Sequence, residues 1–414
     1  MRARRALLRS LPLLLALALL PPALPLDAAR AAEAPPVLLG LDAEFGLENS
    51  TSAQAIERGI LTALEEINGA GGVLGGRPLR LVTRDHRSMP ARGIRNIREF
   101  AAMPDLVAVF GGRFSPVVLE QMPVLRETRT LFLAPWSAAD AIVDNGMSPN
   151  YVFRLSLRDS LAMGAMLDHA KAIGARRVGL LLTNTAWGRS NQAAAERYFA
   201  RSGEAPVAVA TTWYNWRDQS LVDKYEALLK AGADAVVLVA NDDEGAILVR
   251  EVAALPKERR RPIISHWGVT GGDFAKQAGP ALAEVDFAVV QTFSFFRADP
   301  ARAAQVLRVT ERLFGIRTAE QVVSPVGFAH AYDLTHLVAR AIDLAGTTDR
   351  AAVRDALERI PEHKGLVRDY VHPFTADDHE ALGPEDLFLA RYRPDGVIVP
   401  VERPVGKAAR AHGR

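Results

Sequence analysis

The chain of 414 residues contains no cysteine. A disulfide, a thiolate metal site and a lipid anchor on an N-terminal cysteine are therefore excluded. A long hydrophobic run is also missing. The main apolar stretch, residues 11–20, is about half the roughly 20 residues that a transmembrane helix needs. The sequence thus predicts neither a lipoprotein nor a membrane span.

The first 31 residues have the order of a secretory signal peptide. A region with four arginines precedes the apolar residues 11–20, and Ala29-Arg30-Ala31 forms a small-residue cleavage site. The four prolines between positions 12 and 25 argue against a helix of the fold. We expect cleavage near Ala31 and a periplasmic mature protein.

An excess of one charge is missing as well. The chain has 50 basic and 48 acidic residues, and residues 1–31 hold five arginines and one aspartate, so 45 basic and 47 acidic residues remain. A nearly neutral chain offers no basic stripe, and we expect no nucleic-acid partner. At roughly 100 to 200 residues per domain, the remaining length predicts two domains.

Known catalytic motifs are missing too: there is no His-Glu-x-x-His, no Gly-x-Ser-x-Gly, and no Gly-Lys-Ser/Thr in the glycine-rich residues 69–76. His330 and His336 lie six residues apart on a predicted helix, so they do not share a face. Core or surface positions explain both better than a metal site. We expect no metal, no cofactor and no enzymatic activity. A hydrolase stays a rival because fold does not fix function.

What the chain does contain is a regular alternation of Val- and Leu-rich runs with amphipathic stretches. Such runs without polar alternation are typical of strands covered on both faces in a parallel sheet. The pattern predicts an α/β fold with two parallel sheets and right-handed crossovers. The predicted strands are residues 37–41, 79–82, 106–110, 178–182, 207–211, 235–239, 262–265 and 287–292, and the predicted helices are 53–68, 160–173, 190–202, 219–231, 244–255, 299–314, 326–345 and 349–360.

Several predicted strands run into unusual residues. Ligands of open α/β sheets gather beyond the carboxyl ends of the strands, where the loops converge. These ends therefore supply the candidate ligand-binding residues: Phe45, Ser115, Trp136, Ser137, Ala138, Trp187, Asn241, Asp242 and Trp267.

Two of these candidates have a structural alternative. Ser115-Pro116 predicts a helix start, because serine is a favoured N-cap and proline a favoured first residue. The N–H groups of such a terminus attract a carboxylate, but a cap without a ligand explains Ser115 equally well. Asp242 is likewise favoured in the first turn of a helix by the helix dipole alone.

Tryptophan is concentrated near strand ends. Three of the five, Trp136, Trp187 and Trp267, fall at strand ends, the first in residues 134–138 at the end of the strand after 106–110, and Trp213 and Trp216 lie near another strand end. Core packing accounts for one or two of them. All five together favour the aromatic walls of a cleft, since ligand sites are mostly apolar with a few polar groups.

Six motifs carry a resemblance to a known family. They are residues 65–76 (EEINGAGGVLGG), Gly111-Gly112 leading to Ser115, and residues 151–154, 186–189, 328–333 and 348–353. In order and spacing they resemble the leucine/isoleucine/valine-binding group of type I periplasmic solute-binding proteins over essentially the whole mature chain. The resemblance implies two lobes, each a parallel sheet flanked by helices, joined by three crossovers. It also implies that a solute is enclosed by hinge closure and delivered to an ABC transporter permease.

Domain boundaries follow from the same resemblance. Residues 37–154 plus 290–366 form the first lobe, residues 155–289 plus 367–402 the second, and residues 403–414 a C-terminal tail. The three hinge segments are expected near residues 151–155, 289–292 and 365–369, and the protein is expected to be a monomer.

The family's ligand contacts transfer only in part. Ser115 is similar to the hydroxyl that holds the solute carboxylate, and Trp187 stands where the family usually has a tyrosine. Ala138 replaces a threonine or serine beside Trp136, and Trp267 stands where an acidic residue pairs the ammonium. These departures disfavour an aliphatic α-amino acid and favour a small organic acid or an amino-acid-like compound.

Two alternatives stay open. Asp42, Glu44 and Asp242 permit a cationic group on the ligand, because a carboxylate beside aromatic faces suits an ammonium. The output is expected to be transport, and the alternative is a periplasmic sensory protein that signals to a membrane receptor. Neighbouring permease and ATPase genes would favour the first, a histidine-kinase gene the second.

Overall fold

The computed structural model describes residues 35–48, 50–202 and 206–401. The predicted signal peptide and the predicted tail 403–414 lie outside these residues. Over the described part of the chain, no helix combines the length and the apolar character that a membrane crossing requires.

The first sheet has five strands, all parallel, in the order β2-β1-β3-β4-β5. Its central strand β3 is buried at every position, as expected for a sheet with helices on both faces. The strands are β1 (Val37–Ala43), β2 (Leu79–Asp85), β3 (Leu106–Gly111), β4 (Leu131–Ala134) and β5 (Val152–Arg154).

The second sheet has seven strands in the order β14-β13-β10-β9-β8-β6-β7. Five are parallel, and the two last in the chain are antiparallel. The expectation of a parallel sheet in each lobe is thus incomplete here, because a hairpin adds antiparallel strands without a crossover helix. The strands are β6 (Arg177–Thr183), β7 (Val207–Tyr214), β8 (Ala235–Val239), β9 (Ile263–Ser265), β10 (Phe287–Gln291), β13 (Phe388–Tyr392) and β14 (Ile398–Pro400), and β11 (Glu362–Lys364) with β12 (Asp369–Val371) forms a separate hairpin.

Helices flank both sheets. In α1, Ile56, Ile60 and Leu64 recur every four residues and are buried, which places one apolar stripe against α10. The helices are α1 (Ser52–Gly69), α2 (Pro90–Ala101), α3 (Ser115–Thr128), α4 (Asp159–Ala172), α5 (Ala186–Ser202), α6 (Val222–Lys230), α7 (Asp242–Ala254), α8 (Phe274–Ala278), α9 (Pro300–Phe314), α10 (Pro325–Ala345) and α11 (Arg350–Leu357).

Every predicted strand and helix is present, and no end is displaced by more than four residues. We refer to the first sheet with its helices as the first lobe and to the second sheet with its helices as the second lobe. The proposed boundaries of the lobes and the three hinge segments stay predictions. What matters for the site is that the loops after β1, β3 and β4 face the loops after β6, β8 and β9.

Candidate functional site

Side chains from strand ends of both sheets meet around one small cavity. Ser115 and Trp136 follow β3 and β4 of the first sheet, and Trp187, Asn241 and Trp267 follow β6, β8 and β9 of the second. Six of the nine predicted ligand-binding residues are thereby brought together. The lining consists of Arg113, Phe114, Ser115, Pro116, Trp136, Ala138, Trp187, Trp216, Asn241, Trp267 and Gly268.

The other three predicted residues lie outside this lining. Ser137 is buried, and its hydroxyl donates to the carbonyl oxygen of Gly112 at 3.0 Å. Asp242 is buried beside the cavity and is paired with Arg113. Phe45 is half-buried and packs against the hydrophobic core. These side chains shape the surroundings of the cavity and do not face it.

Sequence reasoning missed five lining residues: Arg113, Phe114, Pro116, Trp216 and Gly268. For two of them the sequence contained a pattern that could have indicated a place in the lining. Arg113 is a charged residue between Gly-Gly and Phe-Ser-Pro at a strand end, and Trp216 belongs to the group of tryptophans near strand ends. Neither pattern says which way the side chain points, and this direction depends on the loop conformation.

Two tryptophans contact each other across the boundary between the lobes. The ring centroids of Trp136 and Trp267 are 5.7 Å apart with an interplanar angle of 47°. Only 2% of Trp136 and 1% of Trp267 is exposed. Truncation of either is therefore expected to cost stability, about 3 to 5 kcal/mol for a core tryptophan. If these tryptophans only faced a ligand, truncation would lower affinity and leave the unfolding temperature intact. We do not expect that result for this pair.

Two glycines make room for the aromatic walls. A Cβ atom at Gly327 in α10 would lie 2.5 Å from the six-membered ring of Trp136, and one at Gly268 would lie 2.5 Å from the ring of Trp187. Neither distance is compatible with a side chain. The tryptophans can therefore lie flat against backbone at these two points.

Trp187 is held by a buried carboxylate. Its Nε1–H donates to Oδ1 of Asp159 at 3.1 Å, and Nε2 of His266 lies 3.1 Å from the same oxygen. Asp159 and His266 are fully buried. The shared oxygen sets the orientation of both rings, which meet edge to face at 5.0 Å.

Ser115 does not act as the helix cap that the sequence predicts. It is the first residue of α3, Phe114 occupies the N-cap position, and no side chain makes a capping bond. The Ser115 hydroxyl instead accepts the backbone N–H groups of Ala138 at 3.1 Å and Ala139 at 3.2 Å. These bonds tie the loop after β4 to α3 and leave the hydroxyl hydrogen available to donate.

An ion pair joins the two lobes beside the cavity. Nη1 of Arg113, in the loop after β3, donates to Oδ1 of Asp242, the first residue of α7, at 2.8 Å. The two side chains are only 6% and 4% exposed. Burial raises the pKa of Asp242, and the charge of Arg113 opposes this rise. The guanidinium also lies 4.7 Å from the ring centroid of Phe114.

Glu44 lies behind this pair. Its Oε1 accepts from the hydroxyls of Ser50 and Ser52 and is 3.9 Å from Nε of Arg113. His86 is 3.8 Å away on the other oxygen, and burial lowers the pKa of this histidine. The carboxylate of Glu44 is thus engaged by groups of its own lobe.

Asp42 is also engaged. Its two oxygens accept from Nδ2 of Asn96 at 2.6 Å and from Nε2 of Gln121 at 2.5 Å. All three carboxylates that the sequence offered to a cationic ligand group therefore have partners inside the protein, and Asp42 and Glu44 do not line the cavity.

The two histidines of α10 have structural surroundings, as the sequence predicts. His330 is buried, with Nδ1 2.9 Å from the carbonyl oxygen of Pro135 and Nε2 3.0 Å from the hydroxyl of Thr292. Burial lowers the pKa of His330 to about 4. Its ring packs against Trp267 at 5.6 Å. His336 lies 3.3 Å from the carboxylate of Glu66.

The cavity is small in this structure, about 10 Å3. A site that accepts benzene needs roughly 150 Å3. The walls of the cavity belong to two different lobes, and Trp136 of the first lobe contacts Trp267 of the second.

The chain has two α/β lobes, and their strand ends face each other across a shared cavity. It is therefore a two-lobed α/β protein with a candidate site between the lobes. A sequence model of the family described as "Periplasmic binding protein" matches residues 46–396. The chain belongs to this family.

Individual relatives are distant. A Leu/Ile/Val-binding protein homolog 1 from Brucella abortus is 23% identical over 340 residues, which cover 80% of this chain and 85% of the relative. A periplasmic binding protein type 1 from Bordetella pertussis has 21% identity and a TM-score of 0.79, covering 89% of this chain and 100% of that one. A solute-binding protein of an ABC transporter from R. palustris, in complex with 4-hydroxybenzoate, has 16% identity and a TM-score of 0.72, covering 89% and 96%. At these identities the structures show the shared fold.

Proposed function

We propose that the chain is an extracytoplasmic solute-binding protein of an ABC importer, which holds a small amino-acid-like or organic-acid ligand between its two lobes. The observation that carries this proposal is the convergence of strand-end side chains from both sheets on one cavity. Strand ends are where open α/β sheets bind ligands. The family and the relatives, among them a Leu/Ile/Val-binding protein homolog, support the same function.

Hinge closure is part of the proposal. A ligand that touches Ser115 and Trp136 on the first lobe and Trp187 and Trp267 on the second gains all of its contacts only when the lobes are closed. Ligand binding must then shift the population toward the closed form. The predicted hinges are the three crossover segments near residues 151–155, 289–292 and 365–369.

The predicted ligand-binding residues have distinct parts in this proposal. The Ser115 hydroxyl donates to a ligand carboxylate, and Trp136, Trp187 and Trp267 pack on the ligand body. Ala138 and Asn241 complete the wall, and Ser137 and Asp242 act from outside the lining. Phe45, half-buried after β1, stays a predicted ligand contact.

The proposed place of action is the periplasm, after cleavage near Ala31, and the proposed partner is the importer's membrane permease. The R. palustris relative is a solute-binding protein of an ABC transporter, which supports this partner. We assign no reaction to the chain, since the relatives are binding proteins by name. The proposed working form is a monomer.

The decisive experiment starts from protein prepared gently from periplasm, with mass spectrometry of the small molecule that co-purifies. Small-angle scattering with this solute should give a smaller radius of gyration than without it, and deletion of the gene should abolish its uptake. An unchanged scattering profile at saturation contradicts hinge closure. Unchanged uptake contradicts the importer role and favours sensing. N-terminal sequencing of the same preparation should begin near Ala32 or Glu33.

A further inference from the structure

The charge of the cavity wall is one-sided. Among the lining residues, Arg113 alone carries a charge. The carboxylates nearest to it, Asp242 and Glu44, lie outside the lining and are engaged by partners. The lining therefore presents one guanidinium, whose Nη1 is already bonded to Asp242, and no carboxylate.

The wall also holds hydrogen-bond donors that lack acceptors. Nε1 of Trp216 and Nε of Arg113 are buried without a hydrogen-bond acceptor among the described residues, although Glu44 lies 3.9 Å from the second. The indole nitrogen of tryptophan and the guanidinium are donors only. A buried donor without a partner destabilises the protein, and a ligand oxygen would remove this cost.

An ammonium group finds no carboxylate on this wall. Trp267 and Trp187 offer aromatic faces, and the Nε1–H of Trp187 is already donated to Asp159. Asp242 is paired with Arg113 at 2.8 Å. Burial of an ammonium without a carboxylate partner is costly. For an amino acid, this cost would offset the binding free energy that its carboxylate contributes.

The shape of the wall favours a flat body. Trp136, Trp187, Trp216 and Trp267 surround the cavity together with Phe114. Trp136 and Trp267 already face each other across the lobe boundary at 5.7 Å. When the lobes separate, a planar ring or a slim apolar chain can take the space between the two indoles and stack on them.

We infer that the cleft selects a carboxylate that has a planar or apolar body and no ammonium group, with Arg113 as its counter-ion. This inference rests on the proposed function, because it assumes that the cleft between the lobes is the ligand site. Arg113 presents a fork of donors that suits a carboxylate. Asp242 accepts from one arm of this fork on the side of the second lobe and therefore competes with a ligand carboxylate for the guanidinium.

The test compares three pairs of compounds that differ only in the ammonium group: 3-phenylpropanoate with L-phenylalanine, 3-(4-hydroxyphenyl)propanoate with L-tyrosine, and 4-methylpentanoate with L-leucine. Calorimetric titration at pH 7 should show binding of at least one acid, at least tenfold tighter than its amino acid. An amino acid that binds as tightly as its acid overturns the inference. If scattering shows that this amino acid compacts the protein, the proposed function stands.

Absence of binding by all three acids at millimolar concentration also overturns the inference. The proposed function is then judged separately, by whether the co-purified solute compacts the protein. The two failures can therefore be told apart.

Variants of the ion pair test the role of Arg113. Arg113→Met/Asp242→Asn removes both charges of the pair, so no aspartate charge is left without a partner, and it should weaken acid binding by about 10- to 150-fold, the equivalent of a charged hydrogen bond. Asp242→Asn alone keeps the guanidinium and removes its competitor, so acid binding should strengthen a few-fold. Circular dichroism checks that both variants fold. Equal affinity in the double variant and the wild type contradicts the role of Arg113.

Discussion

Asp42 and Asp242 are two buried aspartates at strand ends, and they differ in where their partners lie. Asp42, near the end of β1, accepts from Asn96 and Gln121 of its own lobe. Asp242, just after β8, accepts from Arg113 of the other lobe. Burial raises the pKa of both. The same sequence signal, an acid that follows or ends a strand, thus has two structural meanings.

The difference determines how each carboxyl can reach water. Asp42 is enclosed between β1, α2 and α3, so its contacts break only when the first lobe unfolds. Asp242 meets its partner across the boundary between the lobes, and separation of the lobes exposes it while each lobe stays folded. We therefore expect changes at Asp42 to alter the free energy of unfolding and changes at the Arg113–Asp242 pair to alter the lobe arrangement.

The largest effect is expected for Asp42→Ala. Asn96 and Gln121 each lose a buried acceptor, at about 1 to 3 kcal/mol for each amide, so the free energy of unfolding should fall by about 2 to 6 kcal/mol. Urea unfolding measures this fall, and Asp42→Asn serves as the matched control of similar size. A loss below about 1 kcal/mol would show that the two amides find other partners.

The pH dependence of the free energy of unfolding tests the carboxyl group of Asp42 separately. Burial raises the pKa of Asp42 to about 8, with smaller contributions from the charges of Glu44 and Asp85. Between about pH 4 and pH 8 the native carboxyl keeps a proton that the unfolded chain releases. Asp42 therefore lowers stability as pH rises through this window, with a slope of up to about 1.4 kcal/mol per pH unit.

Urea unfolding at pH 5, 6, 7 and 8 should show this slope as the difference between the wild type and Asp42→Asn. The difference should level off above about pH 8, where both states are ionised. Parallel curves for the two proteins would show that Asp42 is ionised in the native state throughout this range.

Ser115 resembles Asp42 in that its hydrogen-bond partners lie in its own lobe, and it also lines the cavity. Its hydroxyl accepts two backbone N–H groups of its own lobe. Ser115→Ala should lower the free energy of unfolding by about 1 to 3 kcal/mol and weaken a carboxylate ligand by about 1.5 to 3 kcal/mol. Thermal unfolding and calorimetric titration of one preparation give both values. Loss of stability with unchanged affinity would limit Ser115 to a structural role.

The smallest change in unfolding is expected for Arg113→Met. Asp242 can regain water when the lobes separate, so the loss should stay near the value of a hydrated ion pair, about 1 kcal/mol or less. The radius of gyration without ligand should rise, and Arg113→Met/Asp242→Asn should reverse part of this rise. A loss of about 3 to 5 kcal/mol at an unchanged radius would mean that Asp242 stays buried and unpaired.

Elements that depend on short-range patterns could be predicted from the chain. The spacing of Ile56, Ile60 and Leu64 predicts α1, and the Val-rich run 235–239 predicts β8 with both of its ends. Strand-end segments are equally local, so six cavity residues could be named before the structure was known. The hairpin β13–β14 could not, because its antiparallel pairing to β10 joins residues about 100 positions apart.

Side-chain direction was decided by tertiary contacts. Ser115 was predicted as a cap from two residues of sequence, yet its oxygen bonds to Ala138 and Ala139 because the loop after β4 passes beside α3. Arg113 pairs with Asp242, which is 129 residues away. Local patterns are enough to place strands, helices and the loops that follow them, because backbone hydrogen bonds and hydrophobic periodicity act over a few residues. Which carboxylate has a partner, and therefore which charge the cavity presents to a ligand, depends on distances between lobes that no local pattern contains.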